Sequence, residues 1–199
     1  MTDALIDRPA GLLDVAKFTR MDQSTKADYQ LITFEHKALG RALPEVLIGM
    51  LEAQKGDPMG YQVTRYEHAL QSATRAFRAG ASEEMVVAAL VHDIGDTLAP
   101  YNHPELAAAI LKPYVSPETH WIVEKHGVFQ GYYYFHHLGY DRNAREAYRG
   151  HEHFAATAAF CEDWDQVSFD PDYDTMPLSA FEPALHRVFE RAPHRPAKK

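Results

Sequence analysis

The sequence predicts an all-α fold built around one main domain, and three observations support this prediction. Apolar residues recur at helical spacing, and no segment shows the alternation of a half-buried strand. Helix start signals also recur: Thr64 with Glu67 forms a capping box, Ser82 precedes an apolar run, and Ser116 is followed by Pro117. The chain has 199 residues, of which 46% are hydrophobic, enough for one core.

In chain order, residues 1–22 indicate an arm of mixed polarity, and helices are predicted over 25–43 and 44–54. Gly, Asp and Pro make 55–61 a loop. The capping box opens a helix that stops near Gly80, and Ser82 opens the next helix. We therefore expect residues 1–59 to form an N-terminal arm and helices packed on the core, and residues 60–191 to form the main domain.

Four more helices are predicted in the second half. They cover 103–114, 117–127, a charged segment over 141–150, and 153–166. An aromatic run separates the second from the third, and residues 168–177 indicate a loop. A closing helix over 178–192 leads into a basic tail, 192–199.

Composition excludes several classes of function. The net charge of −8 argues against nucleic acid as a partner. No apolar run approaches the roughly 20 residues that cross a bilayer, and the first residues lack a signal-peptide pattern. The single cysteine, Cys161, fits a reducing compartment. We expect a cytoplasmic protein without a membrane partner, and the sequence leaves its oligomeric state open.

A titratable pair ends one of the most apolar segments of the chain. His92 and Asp93 follow the apolar run 85–91, and burying both without partners is costly. His68 lies 24 residues earlier, about two helices and a turn away. Adjacent side chains on a helix diverge by about 100°, so the pair can share a metal only at a helix end or distortion. Gly95 is consistent with such an end.

These residues carry a resemblance to a known superfamily. The segments "YEHALQSATRA" and "AALVHDIGD", taken together, resemble the HD-domain superfamily, which is named for its His-Asp pair. The resemblance runs from about Gly60 to Arg191. It implies a single HD-domain helical bundle around a metal site. The superfamily includes metal-dependent phosphohydrolases and a smaller branch of diiron oxygenases, represented by organophosphonate-cleaving oxygenase and myo-inositol oxygenase.

The resemblance to the diiron branch implies a set of six ligands. Diiron members add two histidines between the pair and a late Asp, and His103 and His126 lie in that interval. The late Asp is expected to be Asp165, with Asp163 as the competitor. Asp93 would bridge two metals; one would be completed by His68, His92 and Asp165, the other by His103 and His126. Such donors suit transition metals: two Fe ions as a mixed-valent pair, with Mn, Zn or Ni as alternatives.

The function implied is O₂-dependent oxidative cleavage of a hydroxylated small molecule. The alternative is a metal-dependent phosphohydrolase that acts on a phosphate ester or nucleotide. Against the alternative, "HDIGD" lacks the Lys that many HD hydrolases carry after the pair. A non-catalytic binding module is disfavoured because the full ligand set is present.

Departures from the relatives suggest the substrate class. Gln130 and Glu162 stand where phosphonate-cleaving relatives have a Lys and an Arg, and Asp96 stands where myo-inositol oxygenase has a substrate-contacting Lys. We predict that Gln130, Glu162 and Tyr133 bind substrate. Asp93, Asp96 and Tyr61 are predicted to be catalytic, with Tyr61 part of a lid. The expected substrate is hydroxylated and either uncharged or cationic.

Overall fold

The structure, a computed structural model, describes residues 8–194, which contain eight α-helices and no β-strand. The all-α prediction is confirmed. The first residues of the predicted arm and residues 195–199 of the predicted tail lie outside the described range. The helices are α1 (Lys26–Arg41), α2 (Leu43–Ala53), α3 (Arg65–Arg78), α4 (Glu83–Val91), α5 (His103–Leu111), α6 (Pro117–Tyr134), α7 (Phe154–Phe160) and α8 (Glu182–Phe189).

The described residues divide into two compact units, with the boundary between Leu43 and Pro44. The first unit contains α1, which begins at a capping box. The backbone N–H of Thr25 donates to Asp28 Oδ2 at 2.8 Å, and the N–H of Asp28 donates back to Thr25 Oγ1. The predicted division after residue 59 falls later in the chain than this boundary, and the packing predicted for residues 1–59 stays a prediction.

In the second unit, local signals set the ends of α3 and α4 as predicted. The N–H of Thr64 donates to Glu67 at 2.7 Å, which completes the predicted capping box. Gly80, at φ 73°, follows the end of α3 in a left-handed conformation that favours glycine. Ser82 accepts from the N–H of Met85 at 3.2 Å and caps α4. Every residue from Val86 to Val91 is buried, so α4 forms the centre of this unit.

The chain leaves helical geometry where the His-Asp pair begins. Helix α4 ends at Val91, and His92 to Leu98 continue in turns. The predicted helix end is confirmed, and it lets two adjacent side chains point into one space. Gln54, directly after α2, donates from Nε2 to the Asp93 carbonyl at 3.0 Å and anchors this turn.

Two glycines let α5 approach its neighbours closely. A Cβ on Gly95 would lie 3.0 Å from the His103 carbonyl oxygen, so this residue must be small for α5 to begin where it does. A Cβ on Gly127, in α6, would lie 2.9 Å from Pro104 Cγ. Residue 127 must therefore also be small for α5 and α6 to lie this close together. The start of α5 is therefore fixed by contact with the turn after α4.

The middle of the chain differs from the prediction in two ways. Helix α6 runs on through the aromatic residues to Tyr134. The charged helix predicted over 141–150 is only a 3₁₀-helix, Ala144–Tyr148. Arg142 and Arg145 both lie over the ring of Tyr132. These tertiary contacts hold the segment against α6 and outweigh its helix propensity.

The last turn of the α7 segment is a π-helix, Cys161–Asp165, in which the N–H of Gln166 donates to the Cys161 carbonyl at 2.9 Å. Such widened turns often occur at functional sites.

Helix α8 buries Leu185, Val188 and Phe189. Among residues 8–194, no helix combines the length and the apolar character that crossing a membrane requires.

Candidate metal centre

The structure brings together all six residues that the sequence analysis proposed as metal ligands. They come from five places: α3, the turn after α4, the start of α5, the middle of α6 and the π-turn. Five of the side chains are buried, and only the side chain of His103 is partly exposed, at 23%. The set is His68, His92, Asp93, His103, His126 and Asp165.

One group of donors surrounds Oδ2 of Asp93. This oxygen lies 3.4 Å from His68 Nε2 and 3.7 Å from His92 Nε2. Asp165 Oδ1 faces the same two nitrogens, at 3.4 and 3.7 Å. The two imidazole nitrogens are 3.2 Å apart. Each of the two imidazole nitrogens therefore lies within 3.7 Å of an oxygen of both carboxylates.

A second group surrounds the other oxygen of the same carboxylate. Asp93 Oδ1 lies 3.2 Å from His103 Nε2 and 3.1 Å from His126 Nε2. The two groups meet at the Asp93 carboxylate, and His126 also lies close to His92 and Asp165. We call the His68, His92 and Asp165 group the first half, and the His103 and His126 group the second half.

Hydrogen bonds fix which ring nitrogen faces the centre. Nδ1 of His68 lies 2.9 Å from the Ser168 carbonyl oxygen, Nδ1 of His92 lies 2.8 Å from that of Ala89, and Nδ1 of His126 lies 2.7 Å from that of Val123. A carbonyl only accepts, so each Nδ1 carries a proton. When such a ring is neutral, its Nε2 is unprotonated and can bind a metal, as metal-binding histidines require; when the ring is charged, its Nε2 donates to Asp93 or Asp165.

Opposite charges in the cluster favour the charged forms of Asp93, Asp165 and His92. Burial raises the pKa of Asp93, but the charge of His92 and hydrogen bonds from His103 and His126 outweigh burial and hold the pKa well below its usual range. Burial opposes charging of His92, yet Asp93 and Asp165 raise its pKa to about 9. Hydrogen bonds from His68 and His92 outweigh burial and likewise lower the pKa of Asp165.

The chemistry of the residues fits the binding of transition-metal ions. Oδ2 of Asp165 is buried and has no hydrogen-bond partner among residues 8–194, an arrangement that costs free energy unless a cation is bound. Four imidazoles and two carboxylates form the mixed N and O donor set that Fe, Mn, Zn and Ni accept, whereas Ca²⁺ and Mg²⁺ prefer oxygen alone.

A cavity of about 340 Å³ opens onto the cluster. One wall is aromatic: the ring of Tyr61 stacks on Phe169 with centroids 5.2 Å apart, and Phe169 stacks on His68 at 4.4 Å. Phe169 therefore covers the ring of His68, and Tyr61 in turn covers Phe169. The lining residues are Tyr61, Arg65, Asp93, His103, His126, Gly127, Gln130, Tyr133, Tyr134, Asp165, Gln166 and Phe169.

Three of the predicted substrate and lid residues lie in this cavity. Tyr61, Gln130 and Tyr133 all line it. Gln130 also donates from Nε2 to Asp165 Oδ1 at 3.0 Å, so it orients a ligand as well as facing the cavity. The predictions that concern these three residues are compatible with their positions.

Two predicted carboxylates are not brought into the cavity. The side chain of Glu162 is exposed and is not part of the lining. The π-turn directs Asp165 inward and leaves Glu162 and its neighbour Asp163 exposed, so Asp163 is no longer a competing ligand. Asp96 lies behind the cluster, with its oxygens 2.9 Å from His103 Nδ1 and 2.6 Å from Arg65 Nε. Neither the substrate-binding role predicted for Glu162 nor the catalytic role predicted for Asp96 is therefore supported by its position.

Sequence reasoning missed Arg65, the one Lys or Arg among the described residues that line the cavity. Its Nη1 lies 3.8 Å from Asp93 Oδ2, and its guanidinium lies over the ring of Tyr61 at 4.5 Å. A signal was available: Arg65 precedes His68 by three residues, and residues three apart share a helix face. Phe169 and Gln166 were also missed because they follow the π-turn, whose extra residue cannot be read from helical periodicity.

Comparison with known families agrees with this geometry. The family model described as HD domain matches residues 65–166, which is 102 of the 199 residues. The chain belongs to the HD-domain family. The matched segment of this HD domain begins at Arg65 and contains all six clustered residues. HD domains are typically metal-dependent enzymes, and the cluster is compatible with metal binding. No curated protein matches the chain.

Proposed function

We propose that this HD-domain protein is a diiron oxygenase that uses O₂ to cleave a hydroxylated small molecule oxidatively. The observation that carries the proposal is the position of Asp93, whose two oxygens face two separate sets of imidazole nitrogens 3.1–3.7 Å away. By the resemblance, a one-metal HD site needs only His68, His92, Asp93 and Asp165, and the diiron members add the two histidines that correspond to His103 and His126.

The protein's own groups supply holding, orientation and exclusion of water. His68, His92 and Asp165 would hold one iron, His103 and His126 would hold the other, and Asp93 would lie between them. When bound, the mixed-valent iron pair supplies the redox chemistry of the cleavage.

The cavity wall favours a hydroxylated substrate without excess charge. Gln130, Gln166, Tyr133 and Tyr134 line the cavity and offer neutral donors and acceptors for hydroxyl groups. The charge of Arg65 is matched by Asp96 at 2.6 Å, so it adds little net charge to the cavity. Tyr61 and Phe169 add an aromatic wall against which the apolar part of such a substrate would pack.

A metal-dependent phosphohydrolase acting on a phosphate ester or nucleotide is the second candidate. Arg65 favours it, since a guanidinium in a cavity beside two metals is suited to phosphate oxygens. Two metal ions would supply the Lewis acidity for hydrolysis.

Metal content distinguishes the two candidates. The full chain is produced and purified without oxygen, the metals are quantified, and an EPR spectrum is recorded after brief partial oxidation. The oxygenase proposal expects two irons per chain, a mixed-valent signal, and O₂ consumption with a hydroxylated substrate. The His103→Ala variant is expected to hold one iron and to lose that signal. Mn, Zn or Ni in place of iron, together with turnover of a phosphate ester, would overturn the proposal in favour of the hydrolase.

A further inference from the structure

One of the four clustered histidines is held differently from the others. His68, His92 and His126 each donate from Nδ1 to a backbone carbonyl of the core. His103 is the first residue of α5, and its Nδ1 lies 2.9 Å from Oδ1 of Asp96 instead. The most exposed ring of the cluster is therefore the one that depends on a side-chain carboxylate.

Asp96 is itself fixed from two sides. Its side chain is only 9% exposed, and its second oxygen, Oδ2, lies 2.6 Å from Arg65 Nε. Its backbone N–H donates to the Asp93 carbonyl at 3.0 Å, so it sits in the same rigid turn as the central carboxylate. The guanidinium of Arg65 is in turn covered by the ring of Tyr61. Little freedom remains for the Asp96 carboxylate to rotate.

The difference between a carbonyl and a carboxylate matters for metal binding. A carboxylate on Nδ1 fixes the tautomer and ring orientation and makes Nε2 a stronger donor than a neutral carbonyl does. The carboxylate of Asp96 would therefore strengthen metal binding in the second half, where the ligand His103 is partly exposed and is the first residue of a helix.

We propose that Asp96 is a positioning residue that orients His103 for the second metal, and that Arg65 holds Asp96 in place. This inference rests on the two-metal site of the proposed function. It does not depend on iron or on O₂, because it concerns only the relative affinity of the two halves. It also replaces the catalytic role predicted for Asp96 from the sequence, since the carboxylate faces His103 and not the cavity.

The test compares metal binding by the full chain and its variants. Wild type, Asp96→Asn and Asp96→Ala are stripped of metal and titrated with Mn²⁺, with binding followed by calorimetry and by EPR. Wild type is expected to bind two ions and to give the spectrum of a coupled pair. In Asp96→Ala the second ion should bind about 10–100-fold more weakly, while the first binds within about threefold of wild type. The coupled spectrum should then give way to that of an isolated ion.

Asp96→Asn separates the effect of the side chain's shape on metal binding from the effect of its charge. Its side chain keeps the shape of the carboxylate beside His103 Nδ1 while the charge is lost, so the second affinity should fall between those of wild type and Asp96→Ala. The matched control is Asp174→Asn, which removes an exposed carboxylate paired with Arg78 at 2.7 Å, away from the cluster. Thermal unfolding of each metal-free variant verifies that it is folded.

Two results would overturn the inference: equal weakening of both ions in Asp96→Ala, or unchanged binding of the second ion. A wild type that binds only one ion would overturn it together with the two-metal premise. If two ions bind with the expected pattern but no iron-dependent O₂ consumption is found, the oxygenase proposal fails while the role of Asp96 stands.

Discussion

The two halves of the candidate metal centre are built in different ways. The first half takes His68 from α3, His92 from the end of α4 and Asp165 from the π-turn, and all three are at most 2% exposed. Backbone carbonyls of packed elements hold both of its imidazoles. The second half has one buried ring, His126, and one partly exposed ring, His103.

This difference indicates which half can be altered by substitution without disturbing the packing of the core. The first half is embedded in the packing of α3, α4 and the π-turn, so its geometry follows from the stability of the domain. The second half depends on the Asp96 contact and on the close approach that Gly95 permits. Single substitutions should therefore be able to weaken metal binding in the second half without weakening it in the first.

The largest effect is expected from removal of the residue that the halves share. Asp93→Ala should weaken binding of both metals by at least about 100-fold each, because both sets of imidazoles lose their common carboxylate. Activity should be lost with the metals. Metal per chain, measured after anaerobic loading and desalting, checks this expectation.

Asp163→Asn is the matched control, because Asp163 is an exposed carboxylate two residues from Asp165. It should retain both metals. Retention of one tightly bound metal by Asp93→Ala would show that the halves do not share this carboxylate.

A smaller and more selective effect is expected at the start of α5. In Gly95→Ala the new Cβ would meet the His103 carbonyl oxygen and Leu106 at 3.0 Å and push α5 away from Asp93. Such overpacking costs about 1–3 kcal/mol, which for a chain of this size lowers Tm by about 2–12 °C. Metal binding in the second half should weaken while the first half keeps its metal.

Gly150→Ala is the control for this change, since no heavy atom lies within 4 Å of its added Cβ. Differential scanning calorimetry and metal analysis measure both variants. An unchanged second site in Gly95→Ala would mean that α5 is not positioned by this contact.

The smallest effect, a graded dependence on pH, also compares the halves. Burial opposes charging of both rings, but neighbouring carboxylates raise the pKa of His92 to about 9 and that of His103 to about 10. Both exceed the unfolded value of about 6.5, so the metal-free fold gains stability below that pH and loses it as pH rises through about 9–10.

Metal ions must displace these protons. Affinity should therefore rise by about tenfold per pH unit for each proton displaced. Calorimetric titration with Mn²⁺ between pH 6.5 and 8.5, in two buffers of different ionisation enthalpy, counts the protons released. Release of no protons at pH 7 would contradict the charged state of the metal-free rings.

Much of the fold and of the site was predictable because its signals are local. The capping residues Thr64, Ser82 and Ser116 act within three residues of themselves, and each begins a helix where predicted. The His92-Asp93 pair at the end of a buried helix required a partner, and His68 supplied it at the expected interval. His103, His126 and Asp165 were proposed from the resemblance, and the structure brings them to the same place.

Other features were decided only by tertiary structure. The contact between His68 and the Ser168 carbonyl joins residues 100 apart, and the pairing of Arg65 with Asp96 joins α3 to the turn after α4. The π-turn turns Asp165 inward and leaves Glu162 outside, an outcome that depends on packing against α3. Helix starts and ligand types are encoded in neighbouring residues, whereas the direction of a side chain at a helix end depends on what the distant chain packs against it.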